Sequence, residues 1–414
     1  MDNANSVKKY FNNPFISLRH KNFAYYWAGM CISLVGTWMQ NVAQPWLAYS
    51  LTKSPFLLSL IGALQFTPSL LFSLFAGVIV DRVSKKRILI FTQTCSAIIT
   101  FVLALLVVTG TVKYWHILVS SIALGFVNTL DTPARQSFVI ELVGKKDLMN
   151  AVALNSSVFN AARIIGPFIA GMIMGYFGIA FCFFANSISF GAVLISLFFV
   201  KPVEAPILDR KTANVLPDVK DGLKFILKQD TLLYTVLLMA IMGTFAMNFN
   251  VSVPLFAKDV LKLSEKGFGF LMSFTGIGSF LGAMMLAIMS KSGPQKFITN
   301  VMPLATAVLL ILAGFTNSFI AAGLCLSLIG FCFVSFSSNA NSTMQLNSKD
   351  EYRGRVMSVF SLVFMGTTPI GNLYTGILSE RFGARVGIEA CGAMVLLLLV
   401  PTYFYRMRNR HKKT

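Results

Sequence analysis

Five ionic residues stand together between two long uncharged stretches of the chain. Residues 54–80 and 88–112 contain no Asp, Glu, Lys or Arg, and the segment "GVIVDRVSKKR" joins them. Its notable residues are Gly77, Asp81, Arg82, Lys85, Lys86 and Arg87. Lys and Arg gather on the cytoplasmic side of membrane helices, whereas acidic residues contribute little to that preference. Topology therefore accounts for the cations, but Asp81 needs a partner of its own, because an isolated charge at a membrane edge is costly.

The predicted partner of Asp81 is the start of a later apolar helix, which begins near Arg355. A carboxylate at a helix N-terminus gains roughly 0.3–2 kcal/mol, and Arg353 and Arg355 add positive charge there. Asp131, at the inner end of another apolar stretch, is predicted to pair with a cation of the loop. The candidates for that cation are Arg82 and Arg87. These contacts predict a latch that forms in one conformation and breaks in another.

Arg163 is the one charged residue between positions 148 and 200. A charge near the centre of a membrane helix costs roughly 2.5–3.5 kcal/mol on insertion scales, so Arg163 should face a cavity or a partner. Two interpretations stay open. Arg163 is either a structural residue, paired with an acid or with backbone carbonyls, or a charge that serves substrate binding or proton coupling.

Amide and hydroxyl side chains recur along three apolar stretches. The sets are Thr37, Gln40, Asn41 and Gln44, then Thr244, Asn248 and Ser252, then Asn339, Asn341 and Gln345. Polar side chains in lipid often bond between helices, at about 0.6 kcal/mol each, which would make each of them a packing residue. Because the first two sets lie at related places in the two halves of the chain, we predict that all three line a central cavity.

Small residues favour close helix packing around one proline. Ala162, Gly166 and Ala170 are spaced four apart, and Gly171 follows. This spacing lets two helices approach closely, and Pro167 removes a backbone hydrogen bond and favours a kink. We predict a packing surface with a hinge at Gly166, Pro167 and Gly171.

Long apolar helices must position these residues. Of the 414 residues, 55% are hydrophobic and 12% are charged, roughly half the charged fraction of a soluble protein. A helix needs about 20 apolar residues to cross a bilayer, and such stretches predict an all-α membrane protein. The twelve predicted spans are 22–52, 55–80, 88–112, 114–138, 148–175, 178–200, 231–257, 267–290, 297–315, 318–345, 356–379 and 386–405. Turns at "GYFG" (175–178) and "TNS" (316–318) divide two runs that are too long for one crossing.

The distribution of charge predicts the orientation. With both termini inside, inner segments hold 27 of the 35 Lys and Arg residues and outer loops hold 7. Positive residues are retained on the cytoplasmic side, so both termini are predicted to be cytoplasmic. The net charge of +19 then reflects orientation and attraction to anionic lipid, and no nucleic-acid partner is predicted.

A polar linker divides the chain into two related halves. The predicted parts are a cytoplasmic segment 1–21, a six-helix bundle 22–200, a cytoplasmic linker 201–230, a second six-helix bundle 231–405 and a basic tail 406–414. "GTWMQN" at Gly36 and "GTFAMN" at Gly243 recur at half the chain length. Within the linker, residues 218–228 have helical spacing, which predicts a helix along the inner membrane surface. Repeated halves are typical of secondary transporters with a central site.

Nearly the whole chain resembles the major facilitator superfamily of transporters. Residues 77–87 resemble the superfamily's loop motif between its second and third helices, with its Gly, Asp-Arg pair and basic cluster. Residues 131–171 and 353–371 resemble a branch of multidrug, macrolide and siderophore exporters, including enterobactin-exporter-like proteins. The pair Gly166-Pro167 with Gly171 resembles an antiporter motif, in which Ala170 replaces a glycine. The resemblance implies the major facilitator fold, with two pseudo-symmetric six-helix bundles, and export by antiport.

Motifs of other protein classes are missing from the sequence. It contains no GxxxxGK[ST] loop, no HExxH and no CxxC pair, so an enzyme, a cofactor and a metal site are not predicted.

We predict a secondary transporter of the bacterial cytoplasmic membrane that exports amphipathic drugs or macrolides by proton antiport. A dedicated siderophore exporter is the alternative, and a non-transporting receptor or regulator is a remote one. The predicted partners are a small-molecule substrate, protons and lipid; Asp131 is the candidate proton carrier, and the protein is predicted to be a monomer.

Replacing Asp81 by asparagine tests the predicted latch. The change removes the charge and keeps the size, so we expect Asp81→Asn protein to reach the membrane, to transport more slowly and to expose its inner side more. Contacts worth 1–3 kcal/mol shift a two-state ratio by roughly 5- to 150-fold. Flux at matched expression and labelling of an inner cysteine measure the two effects. Unchanged transport at matched expression would contradict the latch.

Overall fold

The computed structural model describes residues 14–201, 215–289 and 293–411, and its regular secondary structure there is helical. Most of the predicted segment 1–21, the first part of the predicted linker and the end of the predicted tail lie outside these ranges. We call the end of the molecule that holds residues 21 and 85 the inner end, following the predicted orientation. The opposite end is the outer end.

Six helices form the first half. They are α1 (Lys21–Thr52), α2 (Pro55–Arg82), α3 (Lys85–Val108), α4 (114–143), α5 (145–177) and α6 (Ala180–Phe199). α4 and α5 follow one another without a loop in Tyr114–Phe177, but they are two helices, because Gly144 between them has a non-helical backbone with a φ of +68°. The turn predicted at 175–178 is confirmed, because α5 ends at Phe177 and Gly178 has a φ of +90°, which glycine adopts readily.

The linker helix and the second half follow. They comprise α7 (Val215–Leu227), α8 (Asp230–Phe245), α9 (Phe249–Leu255), α10 (Glu265–Met289), α11 (Lys296–Phe315), α12 (Phe319–Leu346), α13 (Asp350–Phe382) and α14 (Ala384–His411). A π-helical turn, Phe256–Val260, follows α9. The helix predicted within the linker is present as α7, and the predicted turn at 316–318 separates α11 from α12.

The span predicted at 231–257 is interrupted. α8 ends at Phe245, and α9 begins at Phe249. The side-chain amide of Asn248 donates to the carbonyl of Thr244 at 2.8 Å, the acceptor that its own backbone N–H would use in an unbroken helix. The predicted span is present, since Asp230–Val260 is one apolar stretch long enough for a crossing. The helix breaks within it because an asparagine side chain competes with the backbone for that carbonyl.

The described chain crosses the membrane twelve times. Ten segments are long and apolar enough for a crossing. Tyr114–Phe177 counts once among the ten, although its 64 residues form two helices, α4 and α5, that each make a crossing. α1 adds a further crossing of 32 residues, in which the amides Gln40, Asn41 and Gln44 lower the hydropathy. The all-α fold with two bundles of six spans follows from this order of elements.

The two halves meet along two crossing helix pairs, α2 with α13 and α5 with α10. Helices α5 and α10 touch through their backbones. A Cβ added at Gly269 would lie 2.6 Å from both the Gly171 Cα atom and the Pro167 carbonyl oxygen. Deeper along the same pair, a Cβ at Gly276 would lie 2.6 Å from the Arg163 carbonyl oxygen. Glycine is required at these positions because any side chain would push the helices apart.

The repeated "GT" segments do not share packing partners. Gly36 lies against Ser189 and Asn186 of α6, whereas Gly243 lies against Thr367 of α13. The similarity of the two sequences therefore does not extend to the contacts that the two glycines make.

Candidate functional site

Three hydrogen bonds join α1 to the second half at the outer end. The Trp46 indole N–H donates to Glu265 at 3.2 Å, the Tyr49 hydroxyl donates to Asp259, and the Lys258 ammonium donates to Ser50 at 2.8 Å. The Trp46 ring also stacks on Phe268, with 5.0 Å between ring centroids. The contacts combine apolar stacking with charge-assisted hydrogen bonds, and they close the outer end around α1.

Glu380 closes the outer end at the other helix pair. One of its carboxylate oxygens accepts hydrogen bonds from the Ser54 hydroxyl at 2.9 Å and from the Phe56 backbone N–H at 3.0 Å. Ser54 caps α2 and Phe56 lies in its first turn, so the carboxylate of α13 occupies the N-terminus of α2. Every hydrogen bond between described residues of the two bundles lies at this outer end.

The basic loop after α2 contacts the first half only, among the described residues. Lys85 forms an ion pair with Glu141 at 3.3 Å, and Lys86 donates to the Val200 carbonyl at 2.6 Å. Asp81, Arg82 and Arg87 are exposed, and a Cβ added at Gly77 would meet nothing within 4 Å. The loop is thus free of the second half while the outer end is closed.

The two arginines near the start of α13 have other partners. Arg355 lies 3.5 Å from the Asp221 carboxylate of α7, and Arg353 donates to the Gln345 carbonyl at 3.2 Å. Beside them, Phe225 of α7 stacks on Tyr352 with 4.6 Å between ring centroids. The linker helix therefore docks on the inner end of α13, where Asp81 was predicted to bind.

Asp131 is buried in the first half and pairs with its own helix. Its carboxylate accepts hydrogen bonds from Arg135, from Thr92 at 2.6 Å and from Gln93 at 2.8 Å. The predicted pairing with Arg82 or Arg87 is therefore not present. Arg135, four residues further along the same helix, lies nearer than the loop and satisfies the charge first.

The polar set of α1 divides between two environments. Gln40 and Gln44 are 5% and 4% exposed and belong to a network inside the first half. Gln40 accepts from Thr100 and Asn186 and donates to Gln44, which in turn donates to Ser121 at 2.6 Å. Thr37 and Asn41 are half-buried. Thr37 donates to the Ser33 carbonyl of its own helix at 2.9 Å, whereas Asn41 lines a cleft with Asn250 and Val251 of the second half.

Most of the polar residues of the second half hold its own helices. Thr244 and Ser252 donate to carbonyls four residues earlier, at 2.7 and 3.0 Å. Asn339 is buried; it accepts from the Gln295 backbone N–H at 2.8 Å and donates to Thr299 at 2.9 Å, which fixes the start of α11. These residues stabilise the bundle rather than a cavity.

Asn341 differs, because it lines a cavity of about 440 Å³ between α8, α12 and α13. The other lining residues are Met239, Ser337, Ser338, Ser342, Phe360, Ser361, Phe364 and Met365. Gln345, one turn further along, donates a hydrogen bond to Asn341. The lining contains hydroxyls, an amide, aromatic rings and thioethers, and it contains no ionisable side chain.

Arg163 lies where the two halves begin to separate. Its guanidinium carbon is 5.8 Å from the centroid of the Trp38 ring, which allows a cation–π contact. No hydrogen bond or ion pair joins its side chain to another described residue. Two glycine contacts between the halves lie closer to the inner end than the others. In one, the Arg163 carbonyl lies against Gly276, and in the other, Leu70 lies against Gly366.

Gly166 and Gly171, on either side of Pro167, pack against α1 and α10.

The outer-end residues were missed by sequence reasoning. Trp46, Tyr49, Asp259, Glu265 and Glu380 all lie within a few residues of the outer end of a span. Asp81 was singled out because the positive-inside rule does not explain an acidic residue at the edge of the membrane. The same holds for acidic residues at the outer ends of the spans. That signal was available in the sequence for Asp259, Glu265 and Glu380.

Two six-span bundles that are joined at the outer end, with an open cavity between α8, α12 and α13, form the arrangement of a transporter of the major facilitator type. The model of the family described as transmembrane secretion effector matches residues 12–414, and the chain belongs to this family. The family and the relatives below are transporters, so the predicted superfamily is confirmed.

Curated relatives span nearly the whole chain. It is 25% identical to the staphyloferrin A transporter of Staphylococcus aureus, over 94% of this chain and 97% of that protein. It is 24% identical to a multidrug efflux pump of Mycolicibacterium fortuitum, over 90% and 93%, and 22% identical to an enterobactin exporter of Escherichia coli, over 94% of both. A bacterial homologue of the human lysosomal transporter Spinster, solved in an inward-facing and unoccupied conformation, matches with a TM-score of 0.75 at 13% identity, over 94% of this chain and 97% of that one.

Removal of the Asp131 carboxylate should destabilise the first bundle. Asp131→Ala leaves the half-buried Arg135 charge without its ionic partner; the loss is about 3–5 kcal/mol for a fully buried pair and smaller for a half-buried one. We expect a lower midpoint of thermal unfolding in detergent micelles. The matched control is the double variant Asp131→Ala, Arg135→Leu, which removes both charges and should recover most of the loss. A double variant that is no more stable than the single one would contradict the pairing argument.

Proposed function

We propose that the protein exports amphipathic small molecules across the bacterial cytoplasmic membrane by alternating access. The observation that carries this proposal is the cavity of about 440 Å³ beside Asn341, since ligand sites usually measure roughly 300–1,000 Å³. Its Phe and Met side chains adapt to apolar molecules of different shapes. Its hydroxyls and its amide can bond the few polar groups of such a molecule, and the lining places no charge against them.

The position of the cavity supports loading from the inner side. The residues 337–342 belong to the inner third of α12, and residues 360–365 lie in the inner half of α13. The outer end is closed by the Trp46 and Glu380 contacts. A molecule from the cytoplasm or from the inner leaflet would therefore reach the cavity first, and the relatives named as efflux pumps and exporters support the same direction.

A dedicated siderophore exporter is the second candidate, and Arg163 favours it. The guanidinium has no anionic partner among the described residues, although it lies near the middle of the membrane. A substrate carboxylate would bind it through two parallel hydrogen bonds, which suits the planar fork of arginine. The relatives named for staphyloferrin A and enterobactin add support for this candidate.

Proton antiport is the proposed energy source. One charge that moves through 100 mV releases about 2.3 kcal/mol. Asp131 is the one buried acid in the described chain, and a proton on it would weaken its bond to Arg135, which also reaches the Tyr26 hydroxyl of α1 at 3.4 Å. We therefore propose Asp131 as the proton carrier, in a monomer with both termini in the cytoplasm and with anionic lipid at its basic inner surface.

Export by proteoliposomes separates the two substrate classes. With a neutral macrolide, we expect export that Arg163→Ala leaves nearly unchanged. With a carboxylate siderophore, loss of a charged hydrogen bond worth about 1.5–3 kcal/mol should reduce export by Arg163→Ala roughly 10- to 150-fold, and Arg163→Lys should restore part of it. Arg381→Ala, at the exposed outer end of α13, is the control for loss of a cation. Absence of export for both classes would contradict the proposed function.

Collapse of the pH gradient tests the coupling. An ionophore that exchanges protons for potassium should stop export by the wild-type protein, because the proposed driving force disappears. Asp131→Asn protein, which cannot take up the proton, should move substrate only down its own gradient. Uphill export that survives the ionophore would rule out proton antiport and would leave the export proposal itself intact.

A further inference from the structure

Helices α2 and α13 form an antiparallel pair with a carboxylate on the last turn of each. α2 runs from the outer to the inner end and has Asp81 next to its last residue, Arg82. α13 runs in the opposite direction and has Glu380 two residues before its end at Phe382. Each carboxylate thus lies at the C-terminus of its own helix and at the same end of the molecule as the N-terminus of the other helix.

At the outer end, the carboxylate is seated on that N-terminus. Glu380 accepts from the Ser54 hydroxyl and from the Phe56 N–H, at 2.9 and 3.0 Å. The Ser54 hydroxyl oxygen also accepts from the Leu57 N–H at 3.2 Å, so Ser54 links the carboxylate to the cap of α2. The first backbone N–H groups of a helix have no partner within it and carry partial positive charge. Glu380 supplies the anion that they favour.

At the inner end, the Asp81 carboxylate does not contact the N-terminus of α13. Asp81 is exposed, and no hydrogen bond or ion pair joins it to another described residue. The two helices touch through their outer parts, at Ser59 with Gly376 and at Leu70 with Gly366. Below that last contact, no hydrogen bond links α2 to α13 among the described residues. The pair is closed at one end and unlatched at the other.

We propose that Glu380 is the outer counterpart of Asp81, and that the two carboxylates act as alternating latches of one helix pair. Glu380 on the N-terminus of α2 holds the outer end closed, and Asp81 on the N-terminus of α13 holds the inner end closed. The glycine contact of Gly366 with Leu70 lies between them and permits the helices to tilt, since no side chain of Gly366 blocks the motion. Glu380 is a positioning residue that acts on the conformational equilibrium and does not contact substrate.

The two latches rest on the proposed function, because they require alternating access. Variants of Glu380 and Asp81 are expected to shift the conformational equilibrium in opposite directions. Loss of the Glu380 charge weakens the outer-closed state, and loss of the Asp81 charge weakens the inner-closed state. The ion pairs expected from the sequence are not present, because Asp131 pairs with Arg135 and Arg355 lies near Asp221, so the shift is smaller than the roughly 5- to 150-fold of a full latch. A carboxylate at an exposed helix N-terminus alone shifts a two-state ratio by roughly 2- to 5-fold. The two variants should move the same equilibrium in opposite directions by factors of that size.

Distances between spin labels measure that equilibrium without any transport assay. The full-length protein, with its six cysteines replaced, is labelled at Leu51 and Phe382 for the outer end, or at Val83 and Leu346 for the inner end; all four side chains are exposed. Measurements in nanodiscs of one lipid composition compare Glu380→Gln, Asp81→Asn and the control Glu389→Gln. Glu389 lies against Gly314 within the second half, so the control removes an outer-side charge that makes no contact between the halves.

The expected result is a larger outer-open population for Glu380→Gln, a smaller one for Asp81→Asn and no change for Glu389→Gln. Ser54→Ala, which removes one donor to Glu380, should shift the populations in the same direction as Glu380→Gln and by less. The proposal is overturned if Glu380→Gln leaves both distances unchanged, or if Glu380→Gln and Asp81→Asn shift them in the same direction. Opposite shifts in a protein that exports none of the tested substrates would keep the latches and overturn the proposed function.

Discussion

The bare backbone contact of α5 with α10 is the constraint on which the arrangement of the two halves depends. At Gly171 and Gly269 the helices approach so closely that a methyl group would not fit. Interlocked side chains would resist sliding and tilting, whereas two glycine surfaces offer little steric resistance to either. The outer end is held by polar contacts and by apolar packing between the halves, such as the Trp46 ring on Phe268, while the glycine surfaces of α5 and α10 let the halves separate toward the inner end.

Each half is in turn held rigid by polar groups that find partners inside it. Asp131 bonds to Arg135 and Gln40 bonds to Asn186 in the first half, and Asn339 fixes the start of α11 in the second. Buried polar groups that are satisfied strengthen a unique packing, while unsatisfied ones are costly. Asp81 and Arg163, which have no ionic partner among the described residues, lie where the halves move apart.

Sequence reasoning predicted the spans well and the roles of single polar residues poorly. The breaks at 175–178 and 316–318 followed from length and turn composition, which depend on local chemistry. The break at Asn248 did not, because it depends on one side chain within an apolar run. The bend at Gly144 falls between the predicted spans 114–138 and 148–175. Gln40 and Asn341 look alike in sequence, yet one is buried in a bundle and the other lines a cavity. Only the rotation of each helix about its axis distinguishes them, and a single sequence does not fix that rotation.

The weakness of the contacts at the outer end has a physical purpose in a transporter. A ligand can shift a conformational equilibrium only by its difference in affinity for the two states, and a shift from 1:99 to 99:1 takes about 5.5 kcal/mol. A few hydrogen bonds from Trp46, Tyr49 and Ser54 to carboxylates contribute roughly 0.5–3 kcal/mol each and are replaced by water when they open. Carboxylates that water can reach on opening, such as the exposed Glu380 and the half-buried Asp259 and Glu265, therefore suit a gate that must close firmly and still be opened by one bound molecule.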